Sequence, residues 1–470
     1  MYEEPSFEEH FDNLDAILHE FEEMKQGNPH GFLDEGDFVR IADYYEENGA
    51  LSNAMEATDL GMSQFPYNAD LKVKKAALYN SLGQFENALT LLDEASIFNA
   101  IDSLLFIYKI DAYLGLDQLT KAYEVLVESV DYFEGVEKTG FLLDVNELFD
   151  DWGAIDEGFD CLVMILEEDP ENEEALERIG FWVEYTGRVE EGITLHQDII
   201  ERFPFNAQAW FNLGCAFKEI KLYEKAIDAF EYALAIREDF SYARHNIADA
   251  FIKLRKYDKA IEILKECLES ETGDSSLYEA LGYCYEKEKK YRKARSFYRK
   301  AFSLSPEDDH LYFRIGHTYM LEEAYKLAVP FISTSCKIDT HKLEYRLALG
   351  ECYVQLDQPE EAVNHFLQAV ELRPSSKRSR LALIGLLYHM GNWEDALLQL
   401  NIAEEETRFS ADYNYYRCAI LLRQGKEKEA LLQLEIALSE APNKINLLKK
   451  LDPDLLLHAG IIKVLEQFDE

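Results

Sequence analysis

The residues whose types and spacing could support chemistry are two histidines and a glutamate in the second half of the chain. His310 and His317 are seven residues apart, which places them two turns apart on one face of a helix, and Glu351 lies 34 residues after His317. Two imidazole rings and a carboxylate are ligands that a metal ion such as zinc accepts. Because histidines on helical surfaces are far more frequent than metal sites, the sequence predicts no metal ion here.

The seven cysteines are the other candidates for chemistry, and they are scattered singly from Cys161 to Cys418 without a CxxC pair. Most of them stand near positions that a helical repeat would bury, which is typical of small core residues. The sequence contains no GxGxxG, GxxxxGK[ST], GxSxG or HExxH motif. These observations predict a protein that is not an enzyme and uses no cofactor, and the unpaired thiols favour a reducing compartment.

The composition excludes several classes of partner. The 470 residues include 47 Lys and Arg against 91 Asp and Glu, a net charge of −44. Such a charge argues against binding nucleic acid through its phosphates and against binding anionic membrane surfaces. No apolar run approaches the ~20 residues of a membrane span, and the acidic start Met1-Tyr2-Glu3-Glu4-Pro5 does not resemble a secretory signal. We therefore expect a cytoplasmic protein without membrane insertion.

The charge is unevenly distributed along the chain. Residues 1–200 contain 10 basic and 47 acidic residues, whereas residues 251–300 contain 13 basic and 9 acidic ones. An acidic surface can simply keep a long protein soluble, or it can bind a partner. The basic residues between Lys287 and Lys300 have two interpretations as well: a solvated helix face, or a surface that associates with an acidic partner or a second copy.

A period of 34 residues runs through most of the sequence. Small residues recur at the twentieth position of every unit, and aromatic residues occupy the eleventh position of nine units. Spacings of 4, 7, 8 and 11, then 20, 24 and 27, are helical periods, so each unit is predicted to be two successive helices. The twelve units begin at Glu35, Ala69, Ser103, Thr139, Glu173, Ala207, Ser241, Ser275, Asp309, Leu343, Lys377 and Ala411.

This pattern resembles the tetratricopeptide repeat (TPR) family. The unit with the clearest signature starts at Ala207 and carries Trp210, Leu213, Gly214, Phe217, Tyr223, Ala226, Phe230 and Ala233. The resemblance implies an all-α fold, a right-handed α-solenoid of about twelve helix-turn-helix units with capping helices at both ends. Three units depart from the pattern, because Lys75, Lys109 and Arg417 stand where the family has an apolar residue.

The predicted organisation has three parts. Residues 1–34 form an N-terminal cap with an amphipathic helix at about 6–25, residues 35–444 form the twelve TPR units, and residues 445–470 form a C-terminal cap. Asp452 and Pro453 are typical of the start of the closing helix, which runs from Leu455 to Phe468. The apolar side of that helix is expected to pack on the last repeat, with a partner-binding face as the alternative.

The resemblance also implies a binding channel lined by the first helix of each unit. At the places that face a peptide in the family, the N-terminal half is strongly acidic, and Asn212 and Asn246 hold places that bind a peptide backbone. The neighbouring places do not match the clamp that some TPR proteins use for a C-terminal carboxylate. The predicted partner-binding residues are Asp43, Glu46, Glu47, Asp111, Glu147, Asp150, Asp151, Glu177, Glu184, Asn212 and Asn246.

The sequence thus predicts a non-catalytic scaffold or adaptor that binds proteins or peptides. The acidic channel predicts a partner segment rich in Lys and Arg, because a focused negative potential attracts cations. Two alternatives stay open, a regulatory subunit that presents substrates to a separate enzyme and a structural protein that assembles into a homo-oligomer.

Overall fold

The structure is a computed structural model that describes residues 7–27, 31–98, 101–270, 274–406 and 410–469. Within these ranges the chain forms α-helices and three short 3-10 helices, and no residue belongs to a β-strand. Two compact units divide the chain, unit 1 at Met1–Ala250 and unit 2 at Phe251–Glu470. The predicted all-α fold of successive helix-turn-helix pairs is confirmed. No helix of the described residues is long and apolar enough to cross a membrane.

Unit 1 consists of one N-terminal helix followed by helix pairs, with a 3-10 turn at Val130–Tyr132, and its last helix continues into unit 2. The helices are α1 (Phe7–Lys25), α2 (Glu35–Glu47), α3 (Leu51–Gln64), α4 (Ala69–Ser81), α5 (Phe85–Ala95), α6 (Ser103–Gly115), α7 (Leu119–Ser129), α8 (Gly135–Asp151), α9 (Ile155–Glu168), α10 (Glu173–Thr186), α11 (Val189–Arg202), α12 (Ala207–Glu219), α13 (Tyr223–Ile236) and α14 (Ser241–Lys253).

Unit 2 continues the pairs and ends with short elements. The 3-10 turns lie at Pro442–Lys444 and Pro453–Leu457. The helices are α15 (Tyr257–Ser270), α16 (Ser275–Lys287), α17 (Tyr291–Leu304), α18 (Asp309–Leu321), α19 (Tyr325–Ile338), α20 (Leu343–Gln355), α21 (Pro359–Leu372), α22 (Lys377–His389), α23 (Trp393–Glu406), α24 (Ala411–Arg423), α25 (Glu427–Glu440), α26 (Asn446–Leu451) and α27 (Ala459–Asp469).

The first helix of a pair begins at the predicted residue in every unit except one. Many of these starts have a side-chain cap, such as Asn172 accepting the N–H of Ala175 and Asn206 accepting the N–H of Ala209. The exception is α8, which begins at Gly135 instead of Thr139. Its unit follows the two-residue insertion in the repeat, and Glu134 makes no side-chain cap hydrogen bond.

The small residues of the repeat allow the two helices of a pair to approach closely. The alanines at the twentieth position, such as Ala226 and Ala294, are fully buried. Glycine at the eighth position leaves room for a ring on the second helix: a Cβ added to Gly282 would lie 2.5 Å from the ring of Tyr298. Tyr298 is itself fully buried, so this position determines how closely the helices pack.

Every turn within a pair contains one residue in the left-handed backbone region, at the fifteenth position of the repeat. Six of these residues are glycines, for example Gly187 with φ of +70°. The other six are Asp117, Lys221, Arg255, Lys289, Glu323 and Asp357, with φ between +57° and +62°. The turn geometry therefore overrides the preference of these side chains for negative φ.

The three cations that depart from the TPR pattern pair with a residue of the preceding helix instead of packing in the core. Lys75 pairs with Asp59, and Lys109 lies 2.7 Å from Asp93. Arg417 donates to Asn401 at 2.9 Å and also pairs with Glu404 at 2.9 Å. Each ion pair thus joins a unit that departs from the TPR pattern to the unit before it.

The terminal helices pack on their neighbouring repeats. In unit 1, the buried ring of Phe21 on α1 contacts Phe38 edge to face, with 6.4 Å between ring centroids. At the other end, residues 453–457 form a 3-10 turn, so the closing helix α27 begins at Ala459 instead of Leu455. Its Ile461 and Val464 are buried in the same apolar cluster as residues of α25, while Leu457 stays exposed.

Candidate partner-binding surface

Successive first helices of unit 1 are joined by side-chain contacts, which place them along one face. Asn80 on α4 donates to the carbonyl of Tyr108 on α6 at 2.8 Å, and the indole N–H of Trp152, just after α8, donates to Asp111 on α6 at 3.0 Å. We call the side formed by α2, α4, α6, α8, α10 and α12 the first-helix face of unit 1. It carries the residues that the sequence predicts to bind a partner, except Asn246, which lies on α14.

At the start of this face, the carboxylates are partly neutralised from within the protein. Lys74 on α4 forms ion pairs with both Asp43 and Glu46 on α2. Burial opposes the charge of Lys74, but the hydrogen bonds and charges of the two carboxylates outweigh it and raise the pKa of Lys74. Glu47 is exposed at the end of α2. Asp43 and Glu46 therefore contribute less negative potential to a ligand than their number indicates.

Asp111 occupies an unusual position for a carboxylate on this face. Burial raises its pKa above the ordinary value, and the nearby charge of Asp151 acts in the same direction. The hydrogen bonds from Trp152 and Asn80 act against these effects. The group is consequently a fixed acceptor between α6 and the end of α8, while Asp150 and Asp151 themselves are exposed.

A second internal cation lies further along the face. Arg178 on α10 pairs with Glu147 on α8 at 2.9 Å and with Glu174 at 2.8 Å, and it also donates to Asn146 at 3.2 Å. Burial opposes the charge of Arg178, but the hydrogen bonds and charges of Glu147 and Glu174 outweigh it and raise the pKa of Arg178. Glu147 is therefore already engaged, whereas no ion pair joins Asp150, Asp151 or Glu177 to another of the described residues.

Aromatic side chains accompany the carboxylates on α10. Glu177, Phe181 and Glu184 are spaced by four and three residues, which places them on one side of the helix. The rings of Phe181 and Tyr185 lie 4.6 Å apart and are 60% and 63% exposed. Exposed rings beside carboxylates form a surface that can bind a cationic side chain through both charge and the ring faces.

The structure corrects the expectation for Asn212. Its side chain is 2% exposed, donates to the carbonyl of Leu176 on α10 at 2.6 Å, and accepts from Gln208 at 3.1 Å. The amide is thus used between α10 and α12 and is not presented to a ligand. The absence of a side chain at Gly180 makes room for it, because a Cβ there would lie 2.6 Å from the Asn212 oxygen.

Asn246 differs from Asn212 in being only partly buried. Its oxygen accepts a hydrogen bond from Lys218 on α12 at 2.6 Å, and its amide donates to the carbonyl of Tyr242 at 2.9 Å. The two asparagines do not form a ladder of free amides, since both are bonded within the protein. The sequence identifies their positions on the repeat but carries no signal for these local partners.

The structure does not bring the candidate metal ligands together. His310 lies 2.9 Å from Glu279, whereas His317 lies 3.6 Å from Glu286. Glu351 pairs with Arg378 at 3.4 Å. Among the described residues, no group of three or more His, Cys, Asp and Glu side chains could hold a metal ion.

The cysteines occupy core positions, apart from the half-buried Cys215. Burial raises the pKa of Cys418 and Cys352 to about 12, which keeps these thiols protonated at neutral pH.

The basic stretch between Lys287 and Lys300 is mostly exposed, with one exception. Arg295 is buried and pairs with Glu322 at 2.7 Å, so it belongs to the α17–α18 contact and not to a free basic surface.

The repeated helix pairs define the class of this protein, a helical repeat protein whose first helices present a continuous face in unit 1. Profiles of two families match parts of the chain. The profile described as the tetratricopeptide repeat protein 21 C-terminal ARM domain matches residues 217–335, and a tetratricopeptide repeat profile matches residues 184–239 and 347–411. These matches and the 34-residue helix pairs together support a tetratricopeptide repeat protein.

Solved structures of other proteins share local similarity with the chain. A chain of the APC/C hetero-tetramer Cut9–Hcn1 is 15% identical, with 86% of this chain and 90% of that chain covered and a TM-score of 0.38. A tetratricopeptide repeat protein from Parabacteroides merdae is 16% identical over 52% of this chain and 97% of its own, with a TM-score of 0.40. YrrB, described as a TPR protein with an unusual peptide-binding site, is 17% identical over 40% and 96%, with a TM-score of 0.34. Comparison with curated protein sequences gives no significant match.

Proposed function

We propose that this TPR protein is a non-catalytic scaffold whose first-helix face in unit 1 binds a segment of a partner protein rich in Lys and Arg. Protein binding is what TPR proteins generally do. The observation that carries the basic partner is the combination on α8 and α10 of exposed carboxylates with an exposed aromatic pair. Asp150 and Asp151 lie at the end of α8, and Glu177 and Glu184 flank Phe181 on α10.

The internal ion pairs narrow the proposed site. Lys74 and Arg178 already engage Asp43, Glu46 and Glu147, so a cationic ligand would have to compete for these groups. Asp150 and Asp151 of α8 and Glu177 and Glu184 of α10 form no ion pair with another of the described residues. We therefore place the centre of the site at α8 and α10, with Asn212 holding α10 against α12 beneath it. The proposal includes a cytoplasmic location, which the unpaired thiols favour.

Binding would follow from two physical effects with different kinetic signatures. The exposed carboxylates attract a cationic segment over a distance of about 10 Å at 0.1 M salt, which accelerates association. The rings of Phe181 and Tyr185 act only on contact, by covering the cationic head or the methylene stem of Lys or Arg. Substitution of the carboxylates should therefore change mainly the association rate, and substitution of the rings mainly the dissociation rate.

The test uses a fluorescent peptide in which Lys and Arg alternate with Gly and Ser, with a Gln-for-Lys/Arg version as the neutral probe. Asp150→Lys with Asp151→Lys should slow association at low salt and flatten its salt dependence in stopped-flow measurements. Phe181→Ala with Tyr185→Ala should accelerate dissociation with little change in the association rate. The matched control reverses Asp198 and Glu201, two exposed carboxylates on α11, which is the second helix of its pair.

The proposal fails if the α8 variant and the α11 control reduce the association rate equally, because the effect would then be one of net charge. It also fails if the neutral peptide binds as tightly as the basic one. Capture of a stoichiometric enzyme from cells, with binding unaffected by either double variant, would instead favour the alternative of a regulatory subunit.

A further inference from the structure

Unit 2 contains a cleft that differs in charge from the rest of this acidic protein. Its volume is about 810 Å³, within the ~300–1,000 Å³ typical of ligand-binding clefts. It lies among the end of α14, the turn before α15, and helices α16 and α18. Basic side chains from each of these segments line it, namely Lys253, Arg255, Lys287 and Arg314.

The acidic groups at this cleft do not balance its cations. Glu279 is the carboxylate that lines the cleft, and it is already paired with His310 at 2.9 Å, which lowers the pKa of Glu279. No ion pair joins Lys253, Arg255 or Lys287 to any of the described residues. Four basic side chains thus face one carboxylate that is already paired, so the cleft offers a positive potential to an external anion.

An aromatic ring holds two of the cations at the wall of the cleft. The ammonium of Lys287 lies 4.9 Å from the ring centroid of Tyr283, and the guanidinium carbon of Arg314 lies 5.0 Å from it. Tyr257 contacts the same ring edge to face, with 6.3 Å between centroids. Because cations over a ring face lose part of their freedom before any ligand arrives, less conformational entropy is lost on binding.

Arg314 is also held in place by a buried carboxylate. Its side chain is 13% exposed and lies 3.5 Å from Glu286, which is buried and accepts a hydrogen bond from Tyr298 at 3.0 Å. Burial of Glu286 opposes ionisation, but His317, Arg314 and Tyr298 outweigh this effect and lower its pKa. Glu286 thus anchors one side of the Arg314 guanidinium, while Arg314 also lines the cleft.

We infer that this cleft binds an acidic segment of a partner protein, through the side-chain carboxylates of Asp and Glu. The cations are contributed by three successive repeats and are distributed around Tyr283, an arrangement that suits several carboxylates along an extended chain better than a single compact anion. Tyr257 and Tyr283 offer apolar contact to the parts of the segment between its charges. The cleft and the first-helix face of unit 1 therefore bind segments of opposite charge.

The experiment uses the full chain and a fluorescent, C-terminally amidated peptide that alternates Asp and Glu with Gly and Ser. Its isosteric Asn/Gln version and a singly phosphorylated version of that neutral peptide are the comparison probes. The test variant is Lys253→Glu with Lys287→Glu, both exposed side chains at the cleft. The control is Arg292→Glu with Lys326→Glu, which makes the same change in charge on exposed positions of α17 and α19 in the same unit.

The acidic peptide should bind the unmodified protein, and the cleft variant should weaken it about tenfold or more at 0.1 M salt, whereas the control should weaken it less than about threefold. Replacing Tyr283 with Leu should weaken binding without changing its salt dependence. Equal effects of the cleft variant and the control would overturn the inference, as would equal binding of the Asn/Gln peptide. Tighter binding of the phosphorylated peptide than of the acidic one would overturn the choice of carboxylates. If the cleft were occupied by the acidic surface of a second copy, sedimentation would show salt-sensitive dimers that the cleft variant abolishes, and this outcome would also overturn the proposed partner.

Discussion

Replacing Gly282 with alanine tests how tightly the two helices of a TPR pair are packed. The added Cβ would lie 2.5 Å from two ring carbons of Tyr298, closer than non-bonded carbons approach. The ring has no free path outward, because it is fully buried and its hydroxyl donates to Glu286 at 3.0 Å. Overpacking of this kind costs about 1–3 kcal/mol. Contacts of 2.5 Å favour the upper end of that range, and the better helix propensity of alanine offsets up to ~1 kcal/mol of it, so we expect a net loss of about 2 kcal/mol.

The assay is equilibrium unfolding in urea, followed by the far-ultraviolet circular dichroism of the helices. The matched control is Gly140→Ala in α8, where an added Cβ meets no atom within 4 Å, and this variant should be stabilised by about 0.5–1 kcal/mol. A second variant combines Gly282→Ala with Tyr298→Leu, which recreates the alanine and leucine that the pair α4–α5 has at Ala76 and Leu92. In that background the alanine should cost less than it does beside Tyr298. The reasoning is refuted if Gly282→Ala is as stable as the unmodified protein, or if its cost is unchanged when Tyr298 is leucine.

Three further predictions concern single positions. His196 is fully buried with no hydrogen-bond partner for either ring nitrogen among the described residues, and burial lowers its pKa from 6.5 to about 4. Because the unfolded chain binds the proton more readily, this group should lower the free energy of unfolding by about 3 kcal/mol between pH 7 and pH 4. The variant His196→Leu should remove that part of the pH dependence. Glu323→Gly should raise the free energy of unfolding by about 0.5–1 kcal/mol because φ is +59° there, and Gly391→Ala, at φ of +78°, should lower it by about 1 kcal/mol in the same urea titration. Asn212→Ala should lower the free energy of unfolding by about 1–3 kcal/mol in thermal unfolding, because it leaves the Leu176 carbonyl without its donor. Asn246→Ala should lower it by no more than about 0.5 kcal/mol. Equal losses in the two variants would contradict the inference drawn from their difference in burial.

The repeat pattern allowed the helices to be predicted from the sequence, because the spacing of small and aromatic residues is itself the packing pattern. The deviation at Gly135 arises where two extra residues interrupt the period, so the pattern there no longer determines where the helix begins. The left-handed turn residue was detectable only in part, since glycine marks it in half of the units while Lys221 and Glu323 do not. The residue can be recognised only by its place as the fifteenth of the unit, which becomes evident when all twelve units are compared.

The site was less predictable than the fold. The sequence predicted Glu147 as a binding residue but could not show that it pairs with Arg178, because the contact joins two units and depends on the packing between them. Asn212 shows most clearly why a site residue was mispredicted. Its position in the repeat is that of a ligand-binding residue, but Gly180 leaves room for its side chain to be buried between α10 and α12. A signal existed in the sequence, namely a small residue in one unit opposite an amide in the next.

On the first-helix face, Lys74 and Arg178 form ion pairs with carboxylates of the preceding repeat, in addition to the pair of Arg178 with Glu174 in its own helix. In a linear array, the coupling between neighbours determines whether the repeats unfold together or one at a time. Arg178 supplies part of that coupling by binding Glu147 on α8. If a cationic ligand of the proposed kind took Glu147 from Arg178, this link would be lost and the cooperativity of unfolding between the two repeats would decrease. Added salt would weaken the same link.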